Sequence, residues 1–380
     1  MQANNQYKCA VYLSLAVMMC ALRLPSSSLV AEELERYVAI DNVCAWPNLT
    51  LLKDGSLIAT IHNEPSHGRH EADVECWAST DGGRIWKLRG VPAPHEPGTI
   101  RMNVAAGLAH DGSLIVLSSG WGGRGLREKT LPVWVCRSTD GGTTWHHSVS
   151  VTLPPGVDNL IPYGDVQRLT GKTLAAPFYG SQKKRGQPAL PPADRRGDSY
   201  LLFSQDDGLT WGDARVIGSD DYDETAVLRL RPNRWLAAAR TYGDTHLDLF
   251  VSKDEGQTWV NSGPLTSASQ HPGHLLSLAD GRILLSYGVR EPDHQGIAVR
   301  VSGDEGRTWT PAIWLVHLET TLDHSVPPLG RADGGYPSTV QLPDGTLVTA
   351  YYSKGIPQHQ RYHMGVVRWA IEKLEPGFRY

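Results

Sequence analysis

The stretch STDGGTTW, residues 138–145, is one of five copies of a pattern that can be written SxDxGxTW. The copies lie at 79–86, 138–145, 204–211, 252–259 and 302–309, and the first has Ile85 in place of threonine. In such a turn the Asp carboxylate can accept backbone N–H groups, the Gly can take a positive φ, and the Trp can hold the turn against its sheet. Repetition of this kind predicts a fold built from similar modules.

A second repeat, an Asp-Gly hairpin between apolar residues, precedes each of the five turns. Plain copies lie at 52–57, 109–114, 278–283 and 342–347, and degenerate copies lie at 169–174 and 230–236. Asp-Gly between two apolar runs is a strong signal for a tight β-hairpin. Six hairpins, with room for two further strands in each module, predict an all-β six-bladed β-propeller.

The two ends of the repeat region are incomplete in complementary ways. Residues 35–42 read as a short strand without a hairpin partner nearby, and the last strand, at 364–371, is not followed by the turn that closes the other modules. We expect the N-terminal strand to complete the last blade, because this pairing removes a free sheet edge. The propeller should then cover residues 35–372, with a short tail at 373–380.

The amino-acid composition argues against a nucleic-acid partner. The 380-residue chain is 40% hydrophobic and 20% charged, with a formal net charge of −4, so it lacks the basic excess typical of nucleic-acid binding. Residues 1–31 contain an apolar run, 9–22, that is too short to span a bilayer and resembles a secretory signal peptide. We therefore expect a secreted or periplasmic monomer with no stable membrane insertion. The alternative is a disordered leader on a cytoplasmic protein.

Three cysteines lie beyond this leader, at Cys44, Cys76 and Cys136. An odd number argues against a full disulfide framework. Free buried thiols are the favoured interpretation, and a Cys44–Cys76 pair is the alternative.

Five such turns on six modules resemble the sialidase superfamily of six-bladed propeller glycoside hydrolases, over the whole predicted propeller. The family has a Glu at the start of a fourth-blade strand, where this chain has Glu224. Its Arg at the end of the next strand is matched by Arg240, and its Gly-Tyr-Ser segment in the last blade is matched around Tyr336. The resemblance implies that Tyr336 is a nucleophile, that Glu224 accepts its proton and that Arg240 binds an anion.

Two positions depart from the family's pattern. The first strand of the family carries one of three arginines that clamp the substrate carboxylate, and here the run 45–47 reads Ala-Trp-Pro. The third clamp arginine corresponds to Arg290, which lies earlier in the chain than expected. Arg69 or Arg101, on loops of the first two modules, could compensate for the missing arginine.

The chemistry of the pair is consistent with this resemblance. A free phenol has a pKa of about 10, so a tyrosine nucleophile needs a base beside it, and Glu224 would serve Tyr336 in this way. A neutral nucleophile also avoids repulsion by a carboxylate on the anomeric carbon, and sialidases are an exception to the usual pair of carboxylates. The leaving oxygen needs a general acid, which the family places as an Asp on the first-blade loop. The candidates are Asp73 first and Glu71 second, followed by His67 and His70.

Histidines offer a competing chemistry. His271 and His274 lie three residues apart in the run 270–274, and further histidines that could reach the same channel mouth are His67, His70, His324 and His363. A metal site would need several of them to converge on one point, and no tight metal-binding spacing is present. We therefore predict no metal and no other cofactor, and keep His271 and His274 as candidates for lining the substrate site.

These observations predict a retaining exo-glycosidase of the sialidase type, with a glycan or glycoconjugate as its substrate. The terminal sugar is expected to be acidic, a sialic acid or a related 2-keto-3-deoxy acid, while a uronic acid or a neutral deoxysugar remains open. The alternatives are a non-catalytic propeller that binds glycan or protein, and a metal-assisted polysaccharide lyase or hydrolase that uses the channel histidines. Geometry separates the first two classes: Glu224 within hydrogen-bond reach of Tyr336, with Arg240 facing the same cavity, favours the enzyme.

Overall fold

The computed structural model describes residues 34–180, 197–292, 294–318, 333–354, 359 and 361–374. Within these ranges 27 β-strands form six separate sheets, and 3₁₀ turns lie at Arg124–Leu126 and Ile371–Leu374. The predicted all-β six-bladed propeller is confirmed. The leader at 1–31, residues 181–196 and most of the tail at 373–380 lie outside the described residues.

Blades 1 to 3 come from the first half of the chain. Blade 1 consists of β2 (Asn48–Leu51), β3 (Leu57–His62), β4 (Val74–Ser79) and β5 (Lys87–Ala93). Blade 2 consists of β6 (Thr99–Leu108), β7 (Leu114–Gly122), β8 (Lys129–Thr130), β9 (Trp134–Ser138) and β10 (His146–Ser148), with β12 (Gly164–Asp165) parallel to β6. Blade 3 consists of β11 (Ile161–Pro162), β13 (Gln167–Arg168), β14 (Leu174–Gly180), β15 (Asp198–Ser204) and β16 (Gly212–Gly218).

Blades 4 to 6 each have four strands. Blade 4 consists of β17 (Tyr222–Arg231), β18 (Arg234–Thr241), β19 (Leu247–Ser252) and β20 (Val260–Pro264). Blade 5 consists of β21 (Gln270–Ser277), β22 (Ile283–Glu291), β23 (His294–Ser302) and β24 (Ile313–Leu318). Blade 6 consists of β25 (Asp333–Gln341), β26 (Leu347–Lys354), β27 (His363–Trp369) and, from the start of the propeller, β1 (Glu35–Asp41).

The ring is closed by β1, which pairs antiparallel with β27. Glu35 lies opposite Arg368 in this register, and the Arg368 guanidinium donates to the Glu35 carboxylate at 2.8 Å. The Tyr37 hydroxyl donates to the carbonyl of Gly83 in the first turn motif, which ties blade 6 to blade 1. The prediction that the N-terminal strand completes the last blade is therefore confirmed, and the edge of β27 is covered.

Each SxDxGxTW motif forms the turn between the last two antiparallel strands of its blade, in blades 1 to 5. In every copy the Ser hydroxyl donates to the Asp carboxylate at 2.7 to 2.9 Å, and the Trp indole N–H donates to the Gly carbonyl. Gly208 shows why glycine is required: its φ is +87°, and a Cβ there would lie 2.2 Å from Cδ1 of Ile115 in blade 2. The turns therefore also pack against the preceding blade.

The hydrophobic core lies between the blades as a series of layers. One cluster joins blades 6 and 1 through residues such as Ile40 and Leu49, another joins blades 2 and 3, and further clusters join blades 3 and 4, 4 and 5, and 5 and 6. Cys44, Cys76 and Cys136 are buried free thiols in this interior, as expected. Among the described residues, no helix has the length and apolar character needed to cross a membrane.

The inner strands of four blades are bulged near the central channel. Register shifts interrupt β6 between Arg101 and Asn103, β17 between Tyr222 and Thr225, β21 between Gln270 and Gly273, and β25 between Gly335 and Ser338. A bulge leaves an extra residue unpaired and redirects its side chain. Glu224 and Tyr336 lie within two of these bulges.

Candidate active site

A cavity of about 190 Å³ lies where the inner segments of all six blades meet. One lining residue from each blade shows the arrangement: Asn48, Asn103, Tyr163, Glu224, His274 and Tyr336. Trp121 and Arg127 from blade 2 and His67 from the loop between β3 and β4 also line it. Concave sites with aromatic walls and a few convergent polar groups are typical of small-ligand and active sites.

Tyr336 and Glu224 meet in this cavity from opposite parts of the chain. The Tyr336 hydroxyl donates a hydrogen bond to Oε1 of Glu224, although the two residues are 112 positions apart in the sequence. Tyr336 has a φ of 51°, an uncommon value for a residue with a side chain, and such strain clusters at functional sites. The bulges in β17 and β25 thus bring a phenol and a carboxylate into direct contact.

The phenol is held in its neutral form. Burial raises the pKa of Tyr336 well above its usual range and the Glu224 carboxylate raises it further, while Arg240 and Arg290 act in the opposite direction. A buried neutral tyrosine that donates to a carboxylate can attack only as its proton moves to that carboxylate. The two arginines would stabilise the negative charge that develops on the phenol oxygen.

Arg240 binds two adjacent carboxyl groups at the end of β18. Its Nη1 donates to Oε2 of Glu224 at 2.5 Å, and its Nη2 lies 3.1 Å from Oδ2 of Asp223. Burial raises the pKa of Asp223 to about 7, with Arg240 lowering it and Glu224 raising it. Asp223 therefore competes with Glu224 for the same guanidinium.

Arg290 contacts the other side of Tyr336. Its Nε donates to the carbonyl of Gly334 at 3.1 Å, its Nη2 donates to the hydroxyl of Tyr352 at 2.8 Å, and its guanidinium carbon lies 5.5 Å from the centroid of the Tyr336 ring. Neither Arg240 nor Arg290 belongs to the set of residues that lines the cavity. Each contacts a residue that does line the cavity: Arg240 contacts Glu224, and Arg290 lies against the Tyr336 ring.

Ala45 occupies the position at which the sialidase pattern has its first arginine, and Trp46 is the next residue. The Trp46 indole stacks on His62 with ring centroids 5.2 Å apart and lies 5.8 Å from the Tyr336 ring. Trp46 lines the cavity, and its φ is 40°. The segment that carries the first clamp arginine in the family therefore presents the Trp46 ring to the cavity instead of a cation.

Several polar atoms around the cavity have no partner among the described residues. Nδ2 of Asn48 donates to the Gly164 carbonyl at 2.9 Å and to Oδ1 of Asp165 at 2.8 Å, which fixes the orientation of its amide. Oδ1 of Asn48 is consequently an unpaired acceptor, and the indole N–H of Trp46 is an unpaired donor. Buried polar atoms normally have a partner, so these atoms are suited to a ligand with hydroxyl groups or to ordered water.

His274, predicted to line the site, does so on the inner strand of blade 5. Its Nε2 donates to Oδ2 of Asp165 at 2.9 Å, and its Nδ1 accepts the backbone N–H of Thr339 at 3.4 Å. His274 and Asn48 are thus both hydrogen bonded to the Asp165 carboxylate, which fixes two polar side chains of the cavity. His271 does not line the cavity: it is buried beside Arg290 and Arg240, and burial together with these cations lowers the pKa of His271 to about 2.

Three other predicted residues do not line the cavity. Oδ1 of Asp73 accepts from the backbone N–H and from the ring of His95, both at 2.7 Å. The guanidinium of Arg101 lies 3.7 Å above the Trp134 ring and donates to the carbonyl of Pro132. Arg69 is exposed on the first-blade loop. The contacts of Asp73 with His95 and of Arg101 with Trp134 and Pro132 are long-range, and the sequence motifs do not encode them.

The sequence motifs missed a group around Asp333, at the start of β25. Its carboxylate accepts from the hydroxyls of Tyr352 and Tyr362, both at 2.8 Å, and from Nε2 of His67 at 2.6 Å. Burial alone would raise the pKa of Asp333, but the hydrogen bond and charge of His67, with Arg290, lower it overall. The only signal in the sequence was the position of Asp333 three residues before Tyr336.

Metal ligands do not converge in the part of the chain that the structure describes. No group of three or more His, Cys, Asp or Glu side chains there is arranged to hold a metal ion. His274 and His67 each pair with a carboxylate instead. His324, one of the histidines considered for a metal site, lies outside the described residues.

The model of the BNR repeat-like domain family matches residues 48–349. The chain therefore belongs to this family, and its architecture is that of a sialidase-like propeller. A sialidase of Clostridium perfringens is 21% identical over 241 residues, which cover 58% of this chain and 61% of that protein. A sialidase of Micromonospora viridifaciens is 25% identical over 320 residues, which cover 69% of this chain and 44% of that protein. The chain thus matches less than two thirds of the length of each of these relatives.

Solved structures share the fold at low identity. A protein of unknown function from Dyadobacter fermentans has a TM-score of 0.70 at 22% identity, covering 88% of this chain and 97% of its own. A Hadza microbial sialidase has a TM-score of 0.66 at 18% identity, and the match covers 87% of this chain and 66% of that one. An α-L-arabinanase of Penicillium chrysogenum has a TM-score of 0.61 at 13% identity, covering 90% and 99%. The sialidase-like fold recognised in the sequence is confirmed, and it is shared with enzymes named for a different sugar.

Proposed function

We propose that this protein is a retaining exo-glycosidase of the sialidase type that hydrolyses a terminal acidic sugar, with Tyr336 as nucleophile and Glu224 as the base that accepts its proton. The observation that carries the proposal is the direct hydrogen bond from the Tyr336 hydroxyl to Glu224 inside the shared cavity. The two sialidases named above support the same class of reaction.

The reaction would proceed in two displacements. Tyr336 attacks the anomeric carbon as its proton passes to Glu224, and the leaving oxygen departs with a proton from a general acid. Water then attacks the glycosyl-tyrosine, and the phenol recovers its proton from Glu224. Arg240, bound to Glu224 at 2.5 Å, keeps that carboxylate in position between the two steps.

The preference for an acidic sugar is supported by positive charge around the nucleophile. Arg240 and Arg290 both act on Tyr336 electrostatically, and Arg127 is the one arginine among the described residues that line the cavity. A neutral phenol is also the nucleophile least repelled by a substrate anion. Arg240 and Arg290 contact Glu224 and Tyr336, so an anionic group bound beside the nucleophile would also be attracted by their positive charge.

A second candidate, a neutral sugar, is favoured by one specific observation. Ala45 replaces the first clamp arginine, and both other clamp arginines, Arg240 and Arg290, are hydrogen bonded to protein groups. Trp46 and Asn48 instead offer an unpaired donor and an unpaired acceptor, which suit hydroxyl groups. The arabinanase among the structural neighbours is consistent with this candidate.

A screen of aryl glycosides tests both candidates. The purified protein is offered 4-nitrophenyl glycosides of sialic acid, 2-keto-3-deoxynononic acid, glucuronic acid, arabinofuranose and fucose, with and without a chelator. We expect turnover of a 2-keto acid glycoside and its loss in Tyr336→Phe. Tyr351→Phe, which removes the same hydroxyl from a tyrosine buried between blades 5 and 6, should retain it.

Turnover of arabinofuranoside alone would select the neutral-sugar candidate. Binding of glycans without turnover of any substrate would indicate a non-catalytic propeller. Activity that disappears with chelator would indicate metal-assisted chemistry.

A further inference from the structure

We propose that His67 is the general acid that protonates the leaving oxygen, and that Asp333 is its positioning residue. This inference rests on the proposed glycosidase function and assigns the step that Tyr336 and Glu224 leave open. The residue first expected in this role, Asp73, is bonded to His95 and does not line the cavity. His67 comes from the same first-blade loop and does line it.

The orientation of the His67 ring is fixed by a buried carboxylate. Nε2 of His67 lies 2.6 Å from Oδ2 of Asp333, and Asp333 also accepts hydrogen bonds from Tyr352 and Tyr362. An ionised carboxylate can only accept, so Nε2 of His67 carries a proton. The other ring nitrogen, Nδ1, makes no hydrogen bond within the described part of the chain, and the side chain is 39% exposed.

The ring faces the same aromatic wall as the nucleophile. Trp46 meets the His67 ring edge-on at 5.1 Å between centroids and meets the Tyr336 ring at 5.8 Å. His67 and Tyr336 therefore flank one indole and border one cavity. This is the relation that a retaining mechanism needs, with the nucleophile and the acid on two sides of the bond that breaks.

The backbone of the loop is also held in place. The guanidinium of Arg127 donates to the carbonyls of His67 and Gly68, and Gly68 has a φ of +62°. A Cβ on residue 68 would lie 2.5 Å from Nη2 of Arg127, so glycine lets the arginine approach. A catalytic group needs this kind of support from its surroundings.

The group that faces Nε2 of the ring is an ionised carboxylate. The hydrogen bond and charge of His67 lower the pKa of Asp333 against the effect of burial. The titratable and charged groups around the ring are Asp333, Tyr352, Tyr362, His62 and Arg127. Among them only Asp333 is an acid that is ionised at neutral pH.

The proton balance of the two steps closes with this assignment. In the first step the Tyr336 oxygen bonds to the anomeric carbon, its proton moves to Glu224, and the leaving oxygen takes the Nδ1 proton of His67 as the glycosidic bond breaks. In the second step the neutral imidazole removes a proton from water, whose oxygen bonds to the anomeric carbon. The Tyr336 oxygen leaves and recovers its proton from Glu224. The net reaction is hydrolysis of one glycoside by one water.

The dependence on the leaving group tests the proposal. A good leaving group such as 4-nitrophenol needs little protonation, whereas an alcohol needs an acid. For His67→Gln we expect kcat/KM to fall about 10²–10⁴-fold on the benzyl glycoside and less than about tenfold on the 4-nitrophenyl glycoside of the same sugar. Asp73→Asn, as the matched control, should affect both substrates to the same small extent.

A second variant covers loss of folding in the first. Asp333→Asn should give a smaller loss with the same selectivity for the benzyl glycoside, because the ring loses its partner but keeps its nitrogen. Near-UV circular dichroism of both variants checks that the fold is retained. An equal loss on the two glycosides in His67→Gln, or selective loss in Asp73→Asn, would overturn the assignment of His67.

These outcomes are separate from failure of the proposed function. If Tyr336→Phe abolishes activity while His67→Gln has no selective effect, the nucleophile stands and the acid assignment is wrong. If Tyr336→Phe is as active as the wild-type protein, the proposed mechanism itself fails. If no glycoside of the panel is cleaved, both proposals are overturned.

Discussion

Glu224→Gln is the substitution that separates the chemical role of Glu224 from its structural role. The amide keeps the size of the side chain and an oxygen that can accept from Tyr336, but it cannot take the phenol's proton. Loss of a general base lowers a rate about 10²–10⁴-fold, which corresponds to about 3–5 kcal/mol in activation free energy. We expect a loss of kcat of this size, with little change in KM, on any glycoside that the wild-type protein cleaves.

The stability of the variant should change much less than its rate. Removing one partner of a buried ion pair can cost about 3–5 kcal/mol when the remaining charge is left alone. Here Arg240 keeps Asp223, 3.1 Å away, as a partner. We therefore expect the free energy of unfolding, measured with urea, to fall by less than about 3 kcal/mol.

Glu255→Gln is the matched control for this experiment. Glu255 also binds an arginine, Arg229, at 2.7 Å, but it does not line the cavity. Its kcat should stay within about threefold of the wild-type value, which is below the effect of a lost catalytic proton transfer. A Glu224→Gln protein that retains wild-type kcat, or one whose rate falls only in proportion to its unfolded fraction, would refute the role of Glu224 as a base.

Three further predictions address charge, acid stability and ring closure. Arg290→Gln should lower kcat/KM for a sialoside by about 10–100-fold but have little effect on its methyl ester, because a charge-assisted contact contributes about 1.5–3 kcal/mol. Burial lowers the pKa of His62 and of His363 to about 4, so the unfolded chain binds protons that the folded chain does not. The free energy of unfolding should fall as the pH decreases from about 6.5 to 4, by up to about 1.4 kcal/mol per pH unit for each histidine, and urea titrations should show a shallower slope in His363→Gln. Ile40→Ala, at the buried end of β1, should lower it by about 2–5 kcal/mol in the same assay.

Each of these three predictions has a control variant with a similar substitution elsewhere in the chain. The controls are Arg300→Gln, whose guanidinium donates to the carbonyl of Leu265, His146→Gln at an exposed position, and Val260→Ala at a side chain that is 67% exposed. Equal effects of Arg290→Gln on acid and ester would exclude a carboxylate contact. A pH-independent unfolding free energy would show that the two histidines remain charged when folded. A cost of Ile40→Ala no larger than that of Val260→Ala would mean that β1 does not close the ring.

The fold could be predicted because each repeat is defined by residues that are close together in the sequence. Turns such as 138–145 need a Ser, an Asp, a Gly and a Trp at fixed spacing, and every copy makes the same hydrogen bonds. The hairpin signals set the number of blades, and the unpaired strand at 35–42 predicted the closure by β1. These features depend on neighbours in the sequence, which a single chain displays directly.

The candidate site could be predicted only where it follows those repeats. The blade and strand on which Glu224, Arg240 and Tyr336 lie identified them as candidates. In the structure Glu224 is hydrogen bonded to Arg240, 16 positions away in the sequence, and to Tyr336, 112 positions away. Asp73 and Arg101 could not be placed, because the direction of a side chain near a bulge depends on packing across strands. Asp333 was missed because its partners are far apart in the sequence: His67 belongs to the first blade, and Tyr352 and Tyr362 belong to the last.

The departure at residues 45–47 gained a specific meaning from the structure. The sequence shows only that an arginine is missing there. In the structure this segment brings Trp46, with an unpaired indole N–H, to the cavity, and it is followed by Asn48, with an unpaired amide oxygen. Orphan polar atoms cannot be read from a sequence, because they are defined by what their neighbours leave unsatisfied.

The most direct test of the central claim is to trap the covalent intermediate on Tyr336. The protein is incubated with 2,3-difluorosialic acid, digested with protease and analysed by tandem mass spectrometry. The account predicts that the peptide containing Tyr336 gains the mass of one fluorosugar, attached to the tyrosine. Attachment to Glu224 or to another residue, in a protein that hydrolyses the sialoside, would contradict it.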